Sequence, residues 1–374
     1  MKNKIIVMIL LLVFIIAYFI YNQNKDIELV MVIPADSYFK TSDQKVEDVI
    51  NNAIKEFEKN NPKIKIKLDS STLLPSYNDL VANKMIASDD LDIFMIDDQN
   101  LMNFYNTELL KTFNDLDTSI FYQSSLTSCL VDDNLIALPF LSDLKVMVLD
   151  KSLLNKYNIA EQDLKGVNNF IEILKKLKRN NVISLESFDY PTVFALYNTS
   201  LVRNGEIDVD NQKMLDALRL YLNLDYYQNI DNIDIVSDNP AISSSFYLET
   251  VQNINTSIVA YPFTDYQAVS KNVYLAVSAK SKNSKAALKF TTFLASSQVV
   301  QQELVDKKVS LSSLKAIDQK EINSLFENSS TITYYPNYDL INDYFSLNKD
   351  NLDNNNLEIE LAIINRNLKK YLGK

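Results

Sequence analysis

Residues Ile136 to Asp150, reading I-A-L-P-F-L-S-D-L-K-V-M-V-L-D, restrict the fold of this chain more than any other stretch. The run is apolar, β-branched in its second half, broken once by Pro139, and carries Asp143 between two segments that read as buried strands. A chain passing from one α/β lobe to another needs an extended crossover of this kind. An acid held at the mouth between two lobes is placed to meet a ligand. At 374 residues the chain exceeds what one core usually accommodates, so two domains are expected.

Several absences narrow the chemistry. The chain has no histidine, which removes Ser-His-Asp and Cys-His catalysis, histidine zinc motifs and histidine proton relays. Cys129 is the only cysteine, so no internal disulfide or thiolate cluster can form, and it reads as an inert buried thiol. Three glycines leave no glycine-rich phosphate loop. The net charge of -11 disfavours nucleic acid, whose phosphates need a basic stripe. No cofactor and no metal are expected, and the Asp- and Asn-rich stretch Asn348 to Asn356 lacks the spaced ligands of a calcium loop and reads as a linker.

Lys2 and Lys4 precede an apolar run from Ile5 to Tyr21, about 17 residues, at the short end of what spans a bilayer. The flanking lysines put the rest of the chain outside. The run ends in bulky residues rather than a small-x-small site, which favours an uncleaved signal anchor over a cleaved signal peptide. A polar spacer, Asn22 to Asp26, follows. Ile27 to Ile33 reads as a strand, Val46 to Asn60 as a helix with apolar residues at helical spacing, and Ile64 to Leu68 as an alternating strand. This is the seed of a parallel sheet. Leu73 to Ser88 is a further helix, Leu91 to Ile96 a strand, and Asn100 to Leu110 a helix. Ligands sit beyond the carboxyl ends of strands in such sheets, which nominates Asp36, Tyr38, Asp97 and Asp98 against the plainer reading of solvated loop residues.

After the crossover, Lys151 to Tyr157, Val167 to Lys178 and Met214 to Leu224 read as helices, and Gly205 to Asp210 as a turn. Ser237 to Ser245 reads as a loop leading into a helix, and Tyr261 to Tyr266 as a second crossing. Val273 to Ser278 is a strand; Ser284 to Ala295, Gln298 to Val305 and Glu358 to Leu372 are helices.

The stretch A-K-S-K-N-S-K-A-A-L-K-F-T-T-F-L-A-S-S-Q-V-V-Q-Q, Ala279 to Gln302, resembles a characteristic segment of family 1 extracellular solute-binding proteins, the carbohydrate-type receptors of ABC importers. Ala53 to Ile66, Leu91 to Ile96 and Leu135 to Lys151 are similar to three further segments of that family in the same order. The resemblance implies a type II periplasmic-binding α/β fold whose two lobes close on a ligand about a hinge. It implies lobes at 26–139 plus 264–312 and at 140–263 plus 313–374, after an anchor and spacer at 1–25. By position it maps a sugar-binding acid onto Asp143 and a stacking aromatic onto Phe188 or Tyr190, with Tyr261 at the second crossing.

The implied function is a membrane-anchored extracellular receptor, not an enzyme, that captures a small polar solute such as a saccharide and delivers it to ABC permease subunits. The chain departs from the family in lacking tryptophan, the glycines before the second crossing and a lipid-attachment cysteine. Those departures motivate an alternative: an anchored protein with a degenerate cleft that acts as a sensor or protein-interaction module. Glycoside hydrolysis by paired carboxylates is a third reading with no motif behind it.

Overall fold

The computed structural model describes residues 26–39, 46–87, 91–114, 116–131, 133–178, 183–184, 189–203, 206–228, 242–250, 257–259, 266–319, 322–335, 338–348, 351–353 and 355–371. Phe188, Tyr261 and the apolar run Ile5 to Tyr21 lie outside them. Among the described residues no helix is long and apolar enough to cross a membrane.

The first half is built from strand β1 (Ile27–Pro34), helix α1 (Val46–Asn60), strand β2 (Ile64–Thr72), helix α2 (Leu74–Ala87), strand β3 (Ile93–Asp97) and helix α3 (Asp98–Tyr105). Helix α1 forms because Val46, Val49, Ile50, Ala53, Ile54 and Phe57 fall on one face, and all six are buried. β1 pairs in parallel with both β2 and β3, as the helical crossovers between them require. Helix α3 is shorter than the expected Asn100–Leu110, because the chain turns out of it through Asn106 and takes a positive φ of 55° at Glu108.

Strand β4 (Leu138–Asp150) corrects the expectation of two buried strands on either side of Asp143: it is one strand of 13 residues, buried along all but its last. Pro139 is accommodated by a bulge. Val273 lies opposite Leu141 but Tyr274 lies opposite Pro139, so Phe140 is an extra residue, and its carbonyl accepts a hydrogen bond from Gln301 Nε2 at 3.2 Å. A bulge is one of the few places in a central strand where a missing N–H costs little.

Helices α4 (Val167–Lys178), α5 (Tyr190–Leu196) and α6 (Gln212–Gln228) follow, then strand β5 (Ile242–Phe246) and strand β6 (Ala268–Val277). β5 corrects the loop expected at Ser237–Ser245. Its serines have weak strand preference, but the backbone ladder offered by Lys145–Leu149 on one side and Ile183–Ser184 on the other overrides it. Helices α7 (Ser284–Ser296), α8 (Gln298–Asp306), α9 (Tyr338–Asn348) and α10 (Leu357–Tyr371) complete the chain.

One sheet runs through the molecule in the order β2-β1-β3-β6-β4-β5, ending on Ile183–Ser184. The two ends of the sheet are buried in different cores. One cluster takes Leu29 to Leu141 and Val273 to Ile317; another takes Met147 to Tyr221 and Tyr335 to Leu368. Where β4 and β6 pass between the two, the inward residues turn polar. Ser142 Oγ bonds Asn272 Oδ1 at 2.8 Å, the Ser142 amide donates to Ser310 Oγ at 2.7 Å, and Asn272 Nδ2 donates to the Ser124 carbonyl at 3.4 Å. Ser142, Ser310 and Asn272 are fully buried, so this polar seam is sealed by its own hydrogen bonds.

Candidate functional site

The seam adjoins the carboxyl ends of β1 and β3. Asp97 ends β3 and caps α3: its Oδ1 accepts the Asn100 amide at 2.9 Å and Asn100 Nδ2 at 2.8 Å. Asp98, the first residue of α3, is buried and accepts the Asn272 amide on Oδ2 at 3.3 Å. Burial first, and the neighbouring Asp97 carboxylate second, push its pKa up to about 7, with Lys271 opposing them weakly. Asp36 follows β1 and accepts the Leu74 amide at 2.7 Å, fixing the start of α2. Tyr38 is half-buried beside Tyr77, Asp97 and Asp36; burial and then these neighbours raise the pKa of its phenol. Its buried hydroxyl makes no hydrogen bond among the described residues. Asp36, Tyr38, Asp97 and Asp98, separated by some 60 positions in the chain, thus share one end of the sheet.

The opposite wall comes from the second cluster. Tyr334 and Tyr338 are half-buried with ring centroids 4.6 Å apart, and Tyr335 sits 5.0 Å from Tyr338. Burial raises the pKa of the Tyr334 phenol most; Asp98, Tyr338, Asp97 and Asp189 follow in that order. A single hydroxyl therefore lies in the field of carboxylates from both walls. Asp189 caps α5 by accepting the Thr192 amide at 2.8 Å and pairs with Lys145 Nζ at 3.0 Å; Lys145 also donates to Thr192 Oγ1 at 2.8 Å. Lys271 reaches from β6 over the Phe39 ring, 6.0 Å from its centroid. Gln99 Nε2 donates to Asp339 Oδ1 at 2.8 Å, joining α3 to α9 across the opening.

Two other nominated residues stand apart from this group. Asp143 is fully buried inside β4, accepting the Leu144 amide at 2.8 Å and the Leu248 amide at 3.3 Å, opposite Lys271 in the ladder. Tyr190 opens α5 with its ring inside the second core, 5.4 Å from Phe194 and 5.3 Å from Phe345, and its hydroxyl donates to the Asn342 carbonyl at 3.3 Å. Lys271, Asp189, Tyr334 and Tyr338 escaped the sequence reading. The cluster Y-Y-P-N-Y from Tyr334 to Tyr338 is the feature of the sequence that points to the last two of them.

Polar acids beside half-buried phenols suit a hydroxyl-rich solute, since carboxylates accept hydroxyl protons and ring faces pack on C–H surfaces. A groove of about 830 Å³ lies elsewhere, over Glu28, Lys67, Asp69, Lys84, Asp92 and Lys282. It is open, lies at the amino ends of β1 and β3, and is lined by charges of both signs, so it is a poor solute site.

Solved structures with this fold are numerous. The sugar-binding protein MalE from Xanthomonas citri superposes with a TM-score of 0.73 at 13% identity, covering 92% of this chain and 97% of that one. The ABC substrate-binding protein Lmo0181 from Listeria monocytogenes, solved with cycloalternan, gives 0.66 at 15%, covering 93% and 100%. Maltose-bound MalE3 from T. maritima gives 0.64 at 15%, covering 92% and 100%. At these identities they establish the α/β periplasmic-binding fold. No curated protein sequence matches the chain. The sequence model of the bacterial extracellular solute-binding protein matches residues 52–324, well over half the chain, and the chain belongs to that family.

Proposed function

We propose that the opening between Asp97–Asp98 and Tyr334–Tyr338 captures a small polar solute, a saccharide or oligosaccharide, and that the chain hands it to the subunits of an ABC permease without chemical change. The observation that carries this reading is the Gln99–Asp339 hydrogen bond of 2.8 Å, which brings the acids at the end of β3 beside the half-buried Tyr334–Tyr338 pair. Structural neighbours with the same fold were solved with cycloalternan, maltose and acarbose. On this reading the two clusters are lobes of 26–139 plus 264–312 and of 140–263 plus 313–374. A solute touching both favours the closed state, and closure is the signal for delivery. The apolar run Ile5 to Tyr21 tethers the receptor to the membrane with its binding domain outside.

Thermal unfolding in the presence of a broad saccharide panel tests the reading. A solute at about 100 times its Kd stabilises by about 2.7 kcal/mol, a shift readily measured. The shift should fall in Y334F and D97N, which keep the packed ring and the helix cap, while the unliganded Tm stays close to that of the parent. A panel without any shift would sink the saccharide reading.

A further inference from the structure

The molecule carries its charge unevenly. The carboxylates described above lie at the carboxyl ends of β1 and β3. The other end of β1, about 25 Å away by the rise of eight strand residues, is rich in lysine. Lys63 follows the end of α1, and its carbonyl accepts the amide of Ile27, the first residue of β1. Asn283, between Lys282 and the start of α7, donates to the Glu28 carbonyl at 3.2 Å. Lys280 Nζ reaches the Ile86 carbonyl at 3.1 Å, and Lys289 Nζ reaches Asn61 Oδ1. Lys59, Lys63, Lys280, Lys282, Lys285 and Lys289 are all exposed here. The exposed acids beside them among the described residues are Asp26, Glu28, Glu56 and Glu108, and the adjoining groove sets Asp69 and Asp92 against Lys67 and Lys84; Asp89 and Asp90 lie outside those residues. The lysines outnumber these acids in a chain whose net charge is -11.

A second feature adjoins the lysines. A shallow groove of about 300 Å³ between α1 and α7 has Phe57 and Phe293 at its floor and Asn60, Asn61 and Lys289 at its edge. An apolar floor with a cationic and amide rim fits an amphiphile whose head is anionic. The third feature is the tether. Only Asn22 to Asp26 separate the apolar run from Ile27, so even a fully extended spacer holds the start of β1 within about 20 Å of the end of that run.

We propose that the lysine-rich end around Ile27 is a membrane-facing surface that docks on anionic phospholipid headgroups. The proposal rests on the reading of Ile5 to Tyr21 as a membrane anchor. Docking turns the carboxylate-lined opening away from an anionic surface, toward arriving solute. Because exposed charges are screened over about 8 Å at physiological ionic strength, the pose is reversible and leaves the domain free to turn toward a permease.

The chain has no tryptophan, so one introduced indole reports alone. The full chain bearing N60W at the end of α1, or L347W on the 81% exposed Leu347 of α9, is reconstituted with vesicles containing a headgroup-nitroxide lipid. The vesicles are phosphatidylcholine alone or phosphatidylcholine mixed with phosphatidylglycerol. Quenching of N60W should be several-fold stronger with phosphatidylglycerol, should fall to the phosphatidylcholine level in high salt and in K63E/K282E/K285E, and should be absent from L347W. Equal quenching of N60W in both lipids, or equal quenching of N60W and L347W, overturns the proposal. Flotation separates the two readings. A chain that floats with both vesicle types but shows no lipid preference retains the anchor and loses the docking surface. One that floats only with phosphatidylglycerol loses the anchor and keeps the surface, and one that floats with neither loses both.

Discussion

Gln99 and Asp339 hold the two walls of the opening together through a single exposed hydrogen bond of 2.8 Å. Both residues start helices that belong to different cores, so the bond exists only when the walls are close. A bond of this exposed kind contributes about 0.5–1.5 kcal/mol, too little to decide folding but enough to bias closure. Gln99→Ala should therefore leave Tm nearly unchanged while shifting the unliganded protein toward a more open form. Small-angle scattering would show this as a larger radius of gyration, erased by a bound solute. An identical radius in parent and variant would mean that the bond does not contribute to closure.

Asp98 makes stability depend on pH. Its folded pKa of about 7 lies above the ordinary carboxylate value of about 3.9. The folded chain therefore holds this proton while the unfolded chain has lost it. The resulting stabilisation is complete below about pH 4 and declines as pH rises toward about 7. In D98N this term is missing, so the variant should gain on the parent across that window and be the more stable protein at pH 8. Urea unfolding at several pH values gives the difference curve directly; a flat difference between parent and variant would contradict the burial argument.

What was legible in the sequence was local. Helix α1 announced itself through Val46, Val49, Ile50, Ala53, Ile54 and Phe57, and its observed limits are those read from the chain. β5 was illegible because Ser243, Ser244 and Ser245 become a strand only when β4 offers a ladder. The site suffered in the same way. Asp36, Tyr38, Asp97 and Asp98 follow from the rule about strand ends, but Tyr334 and Tyr338 reach the same region from more than 200 residues later. The extended character of Leu138–Asp150 was legible in its apolar run, yet which side of the strand Asp143 faces depends on the bulge at Phe140 and on the ladder to Lys271. A one-residue change of register would turn that side chain over.

Tyr77 ties β1 to β3 from α2. Its fully buried hydroxyl lies 2.9 Å from the carbonyls of both Val32 and Met95, serving one at a time with its single proton, and accepts the Met95 amide at 3.1 Å. Tyr77→Phe keeps the ring and removes the hydroxyl, leaving the Met95 amide short of an acceptor. A loss of about 1–3 kcal/mol is expected, measured by chemical denaturation with an unchanged m value. A loss below about 0.5 kcal/mol would require water to take over these bonds.

Lys145 and Asp189 form an asymmetric pair: the lysine side chain is 9% exposed, whereas the aspartate is 53% exposed. Removing the aspartate strands a cation that has little access to water, and it also strips the cap from α5, since Asp189 Oδ1 holds the Thr192 amide. Asp189→Ala should cost about 2–4 kcal/mol, combining a cap worth about 1 kcal/mol with a share of the penalty for an unpaired buried charge. The exposure of Asp189 keeps the total below that of a fully buried pair. Asp189→Asn retains a capping oxygen and should recover roughly the cap's share. The double variant D189A/K145M removes the stranded charge as well and should be more stable than D189A alone. If D189A and D189A/K145M unfold at the same urea concentration, the charge of Lys145 is satisfied without Asp189, and the destabilisation belongs to the helix cap.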